Sequence, residues 1–319
     1  MWKKPVLILV LLLIAAYVLG PRAELRGDFG FDPAMIGDDP DAYLSLSEAQ
    51  FDDIQPGAEK RIIWAGEPGE ATPFSMIYLH GFSATSEESR PLPDLVAETL
   101  GANLYFMRLP GHGRSAAAMA GPDADDWMRD VAEAVVIGER LGERVVLIGA
   151  STGGTLAALA AFESTLNARL AGVVLISPNF GPRQNGAGLL TIPFARWIVP
   201  LVLGKERCWQ PSSEAHAKWW RYCYPSQAVL PVGAVVKEAA DLPFEDAGVS
   251  ALFIYAPDDP VIDTGLTTSV AGRWPGAEVI HPIFGAGDTG ERHNIVGDIL
   301  QPEQNQPISE AIVRWIEAL

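Results

Sequence analysis

The stretch from Arg144 to Phe162, RVVLIGASTGGTLAALAAF, constrains this chain more than any other. Val145 to Ile148 form an unbroken apolar run, as in a strand buried on both faces. The leucines and alanines after Gly154 favour a helix with small packing faces. Between the two lies Gly149-Ala150-Ser151-Thr152-Gly153, a G-x-S-x-G pattern in a strand–turn–helix setting. Side chains at 149 and 153 would collide with the neighbouring strand and helix. Such a turn lifts the Ser151 hydroxyl above a sheet edge, which makes Ser151 a candidate nucleophile. The competing reading is a plain glycine-rich turn.

The same alternation runs along the chain from about residue 60. Candidate strands lie at 61–64, 75–79, 102–108, 144–148, 172–176, 251–255 and 277–281. Helical stretches lie at 91–100, 125–141, 154–166 and 307–319. This order predicts an α/β fold with a doubly wound, mostly parallel sheet over residues 59–319. Residues 181–249 interrupt it. They hold seven prolines, both cysteines and four tryptophans (Trp197, Trp209, Trp219 and Trp220). That is too long for a strand–helix connection and reads as an inserted cap. Within it, the apolar run at 188–204 would wall an acyl pocket, rest on a membrane or pack on the sheet domain. Trp219, Trp220, Tyr222 and Tyr224 would line a pocket or fill the cap's own core.

Two segments precede the sheet domain. Residues 1–20 carry an unbroken apolar run from Val6 to Leu19 behind Lys3 and Lys4. A helix over 5–20 would be about 24 Å long, against a hydrocarbon core of roughly 30 Å. Trp2, Tyr17 and the lysine stems would extend its reach at the interfaces. The segment reads first as an uncleaved membrane anchor, second as a cleaved signal peptide with a poor cleavage site, and last as a buried core helix. In the two leading cases the lysines stay cytoplasmic and the rest is exported. The expectation is a periplasmic or extracellular domain, membrane-anchored, or secreted if the leader is cleaved. Residues 21–58 are rich in Asp, Gly and Pro and read as an irregular acidic linker, a tether or a solvated extension. In an exported domain a Cys208–Cys223 disulfide would be worth ~3 kcal/mol.

Charge narrows the partners. Lys and Arg number 23 against 40 Asp and Glu, a net charge of −17, which opposes nucleic-acid binding. No CxxC…CxxC spacing supports a structural zinc site.

A serine hydroxyl needs a base within hydrogen-bond reach and a third group to orient that base. Five histidines are available. His80 and His112 precede the serine in turn-like HGF and PGHG contexts, and His216 lies in the cap. His281 sits in an apolar strand and reads as a packed side chain. His293 lies in a polar loop after the last strand and is the favoured base, with His281 second. For the acid, ALFIYAPDDPVID offers Asp258, Asp259 and Asp263 at the end of a late strand. Asp259 is favoured, Asp258 second, and a solvated acidic turn is the bland alternative.

Taken together, HGF (80–82), LPGHGRS (109–115), GASTGG (149–154), YAPDDPVID (255–263) and RHNIVGD (292–298) resemble the α/β-hydrolase superfamily, whose serine–acid–histidine order they follow. The pattern looks most like its capped, monoglyceride-lipase-like esterases. The resemblance implies a Ser151–Asp259–His293 triad. It also implies an oxyanion hole built from the Phe82 and Thr152 backbone N–H groups. His80 would orient the first of those loops. The implied activity is hydrolysis of a small, lipophilic carboxylic ester without cofactor or metal. Peptidase or thioesterase chemistry on the same fold, and a binding protein with a relic site, are the alternatives.

Overall fold

The computed structural model describes residues 3–27, 29–184 and 186–319. Trp2, read above as an interfacial anchor, lies outside them, and so does the side chain of Lys3.

Seven strands form one sheet: β1 (Arg61–Ile63), β2 (Thr72–Leu79), β3 (Asn103–Phe106), β4 (Gly142–Ala150), β5 (Leu170–Ile176), β8 (Ser250–Ile254) and β9 (Glu278–Ile280). Their order is β1-β3-β2-β4-β5-β8-β9, and only β1 runs antiparallel to its neighbour. The expected doubly wound, mostly parallel sheet is the observed one. Each expected strand is present, with ends shifted by a few residues.

Alternation along each strand builds two cores. Ile77, Leu79, Val145, Leu147, Val173, Leu175 and Phe253 face one layer. Met76, Tyr78, Val146, Ile148, Val174, Ile176 and Ile254 face the other. Period-two side chains with both faces covered leave no polar position, which explains the unbroken apolar runs. The first layer is closed by α4 (Ala124–Leu141) and α5 (Thr152–Phe162), the second by α3 (Leu92–Leu100) and α10 (Asn305–Glu317). Helix α4 starts on a capping box, with Asp123 accepting from Asp126 N–H and Asp126 accepting from Asp123 N–H. Its Trp127, Val131 and Val135 recur at helical spacing on the buried face. Helix α5 begins at Thr152, two residues before the expected start, because the turn at Ser151 is itself the helix cap. Helix α9 (Thr264–Arg273) has a weak apolar pattern that gives no sequence signal, and Asp263 caps its N-terminus.

The reading of 21–58 as irregular and solvated is corrected. Residues Pro40–Glu48 form helix α2, and Phe29, Ile36 and Leu44 are buried in the first core layer. Glu48 receives a two-pronged bond from Arg108, Nη2 to Oε1 at 2.7 Å and Nε to Oε2 at 2.9 Å. Lys60 reaches Glu133 at 2.8 Å and Asp130 at 3.1 Å. Breaking either buried pair would leave an uncompensated charge, and the segment itself is tied to α4 by Arg26 N–H donating to Asp125 Oδ1 at 2.8 Å and Arg140 Nη2 donating to the Pro33 carbonyl at 3.0 Å. Their partners lie far along the chain, so local composition concealed the packing.

The leader is helix α1 (Lys3–Leu19), 17 residues long. Among the described residues no helix is long and apolar enough to cross a membrane, so the expected spanning anchor has no support here. The described apolar side chains of α1 are largely exposed. Just past its end the chain meets the cap, with Phe194 N–H donating to the Pro21 carbonyl at 2.7 Å.

The segment after β5 contains α6 (Ala195–Leu203), β6 (Glu206–Cys208), α7 (Glu214–Trp219), β7 (Cys223–Pro225) and α8 (Leu230–Ala240). The cap reading over 181–249 is trimmed at its end. Ala234, Val235 and Ala239 of α8 pack in the first core layer, so α8 is the crossover helix that links β5 to β8. Strands β6 and β7 pair with Cys208 opposite Cys223, and the expected disulfide joins them.

Candidate active site

Ser151 sits at φ 50° and ψ −115°, in a region that non-glycine residues seldom adopt. Two neighbours make that turn possible. A Cβ at Gly149 would stand 2.4 Å from the Gly153 carbonyl oxygen, and one at Gly153 would stand 2.0 Å from the Leu79 oxygen. Ser151 N–H donates to the Ile176 carbonyl at 2.9 Å, which ties the turn to β5. The strain holds the hydroxyl above the sheet's carboxyl edge.

Loops that follow β8 and β9 meet it there. His293 Nε2 lies 2.9 Å from Ser151 Oγ, and His293 Nδ1 lies 2.8 Å from Asp259 Oδ2. Asp259 is fully buried, and its other oxygen accepts from Val261 N–H at 2.7 Å and Ile262 N–H at 3.2 Å. A buried carboxylate requires such donors. It also favours a proton on Nδ1, which leaves Nε2 free to accept from the hydroxyl. Glu291 Oε1 accepts from the N–H groups of Arg292, His293 and Asn294 and shapes the histidine turn.

The rival candidates are occupied elsewhere. Asp258 is exposed and pairs with Arg292 at 3.3 Å. Asp263 caps α9 through Gly265 and Leu266 N–H. His281 is not packed within a strand as expected but exposed past an edge strand, with Nδ1 2.9 Å from the Tyr255 carbonyl. His216 is held in the cap between Trp209 and Trp220, with ring centroids at 4.7 and 4.6 Å.

The HGF turn lies beside the serine. His80 is fully buried, and Leu109 N–H donates to its Nε2 at 3.0 Å. Its Nδ1 lies 2.8 Å from the Gly81 carbonyl, so Nδ1 carries the proton and donates. Burial pulls the ring's pKa down to about 4, against the Gly81 bond and with help from Arg108, so the ring is neutral. A trans peptide sets N–H opposite C=O, so fixing the Gly81 carbonyl also aims Phe82 N–H. On the other side, Thr152 is the first residue of α5, where N–H groups lack intrahelical acceptors.

One residue here carried no sequence signal. Glu88 is buried, and its Oε1 accepts from Gly81 N–H at 2.5 Å and Tyr78 O–H at 2.9 Å. Burial pushes its carboxyl up to about 7, offset by Gly81, Tyr78 and the nearby His293. In SATSEESR it reads as an ordinary surface acid, and only the fold turns it inward.

The cap closes over this corner. Trp220 packs with Ala84 and Leu300, and the Phe82 ring meets Tyr224 edge-on at 5.1 Å. Arg221 N–H donates to the Ser83 carbonyl at 2.7 Å. Trp220 and Tyr224 therefore join the cap to the sheet domain, whereas Tyr222 is exposed. Helix α6 buries Ala195 and Val199 and exposes Trp197, Leu201 and Val202.

A mostly parallel sheet with a serine elbow at its carboxyl edge, met by a late acid and a late histidine, defines an α/β-hydrolase fold. The α/β hydrolase family model matches residues 76–299, and the chain belongs to that family. No curated protein matches the sequence. Among solved structures, one described with the metagenome-derived lipolytic enzymes LipS and LipT superposes with a TM-score of 0.66 at 21% identity. That match covers 83% of this chain and 100% of the other. The monoacylglycerol lipase of Paleococcus ferrophilus gives 0.59 at 16%, covering 81% and 97%. A soluble variant of the Saccharomyces cerevisiae monoglyceride lipase gives 0.61 at 12%, covering 82% and 91%. At these identities the likeness is one of fold.

Proposed function

We propose that this protein hydrolyses small, lipophilic carboxylic esters through an acyl-enzyme on Ser151. The observation that carries the reading is the chain of contacts from Ser151 Oγ through His293 to Asp259, at 2.9 and 2.8 Å. Ser151 attacks the carbonyl carbon while His293 Nε2 takes the hydroxyl proton. The Phe82 and Thr152 N–H groups receive the oxyanion, each donor worth on the order of 3 kcal/mol. The imidazolium then protonates the leaving alcohol, and Asp259 stabilises its charge. Water, activated by the same histidine, releases the acid. A lipophilic substrate fits the lipase and esterase neighbours.

A series of p-nitrophenyl esters from acetate to palmitate tests the reading, with a thioester and a peptide anilide as comparators. The expected result is ester turnover that exceeds both comparators and is blocked by a fluorophosphonate. Folded protein that turns over none of the esters and takes up no fluorophosphonate would refute it.

The same reading places the catalytic domain outside the cytoplasm, led there by α1. The Cys208–Cys223 disulfide suits an oxidising compartment. A periplasmic alkaline phosphatase fused after Leu319 is expected to be active, with fractionation deciding between membrane-held and released protein. An inactive, cytoplasmic fusion would overturn the assignment.

A further inference from the structure

Three features take no direct part in the proposed reaction: the Lys60–Asp130–Glu133 ion cluster, the exposed α6 face and Glu88. The first pairs one buried cation with two carboxylates and ties the residue before β1 to α4, a structural contact. Nothing in the structure shows what covers the second. Glu88 is different, because a buried acid beside the oxyanion loop has a cost that packing alone does not offset.

We propose that Glu88 is a positioning residue for the oxyanion hole: its carboxyl clamps the Gly81 amide and so holds the Phe82 N–H on target. The proposal rests on the reading of Phe82 as an oxyanion donor. The HGF turn has two consecutive peptide groups to fix. His80 Nδ1 holds the Gly81–Phe82 peptide by its carbonyl at 2.8 Å. Glu88 Oε1 holds the preceding His80–Gly81 peptide by its N–H at 2.5 Å. With both held, neither plane can rotate without breaking a buried hydrogen bond. Tyr78 secures the clamp, since its hydroxyl lies 2.9 Å from Glu88 Oε1 and 2.5 Å from Ser89 Oγ. Tyr78 belongs to β2, so the clamp is referenced to the sheet. The segment also braces the histidine loop, because Asp298 N–H donates to the Arg90 carbonyl at 2.9 Å. Glu88 thus lies in the segment that holds the HGF turn on one side and contacts the histidine loop on the other.

Only an acceptor is needed at Oε1, and a carboxylic acid, a carboxylate and an amide all supply one. Glu88→Gln is therefore the conservative rescue and Glu88→Ala the loss. The full chain is assayed for kcat and KM on the best ester. Affinity for a trifluoromethyl ketone reports the oxyanion hole. Hydrogen exchange of the peptide spanning 80–83 reports the clamp without reference to activity.

Glu88→Gln is expected to keep kcat within about threefold of wild type and to leave exchange unchanged. Glu88→Ala is expected to lose roughly 10- to 100-fold in kcat and in ketone affinity, with KM within about threefold and faster exchange at 80–83. If alanine prevents folding, Glu88→Met fills the volume without an acceptor and carries the same comparison. Unchanged exchange and kcat in the loss variant overturn the clamp. Equal damage in the glutamine variant also overturns it, by showing that charge is what matters. Faster exchange with unaltered kcat removes Phe82 from the oxyanion hole and leaves the clamp no part in turnover. A wild type with no ester activity, but with the exchange difference intact, fails the functional reading alone.

Discussion

Ser151→Ala is expected to lower kcat on the best ester by on the order of 10⁶-fold, or about 8 kcal/mol of barrier. The loss is large because the substitution removes the atom that forms the bond, and no neighbour substitutes for it. The fold should survive. The Ser151 N–H bond to the Ile176 carbonyl at 2.9 Å belongs to the backbone, and alanine meets the same strain at φ 50° as serine does. Steady-state kinetics, fluorophosphonate labelling and thermal unfolding check the three parts together. A folded alanine variant that retained even a hundredth of wild-type turnover would remove Ser151 from the reaction.

Asp259→Asn is expected to cost roughly 10⁴-fold in kcat, about 5 kcal/mol, at unchanged KM. The amide oxygen can keep the bonds from Val261 and Ile262 N–H, which presents the amide NH₂ to His293 Nδ1. A donor at that point forces the imidazole proton onto Nε2, where it faces Ser151 Oγ and cannot accept. The residue is fully buried, so water is poorly placed to stand in for the lost carboxylate. Nitrogen NMR of the His293 ring should show the tautomer switch alongside the kinetic loss. An asparagine variant with wild-type kcat would shift the acid role to another group. Asp258→Asn, exposed and paired with Arg292, is the matched control and should change kcat by less than about threefold.

Particular residues show how far the sequence could be read. The strand runs and the Ser151 turn were legible because their causes are local: side-chain period, the sterics of Gly149 and Gly153, and the start of a helix. The HGF turn was legible as a motif, and His80's orienting role with it. Helix α2 and its buried Glu48 were not, because the apolar residues of 21–58 are sparse and their partners, Arg108 and α4, lie far along the chain. Helix α8 was absorbed into the cap because nothing local distinguishes a crossover helix from an inserted one. Glu88 was invisible for the same reason, as one acid in a polar run.

What the sequence by itself determined is the strands of the sheet and the elbow, since each is written in contiguous residues under short-range sterics. Only the tertiary structure decided which of three aspartates faces His293, where the lead-in segment docks, and which acid holds the HGF turn. Those choices are contacts between residues 34 and 142 positions apart, as for Asp259 and Ser151 about His293. Short-range rules do not set such distances. They emerge when β4, β8 and the loop before α10 are brought to one edge of the same sheet, where burial makes each unpaired polar group costly and so selects its partner.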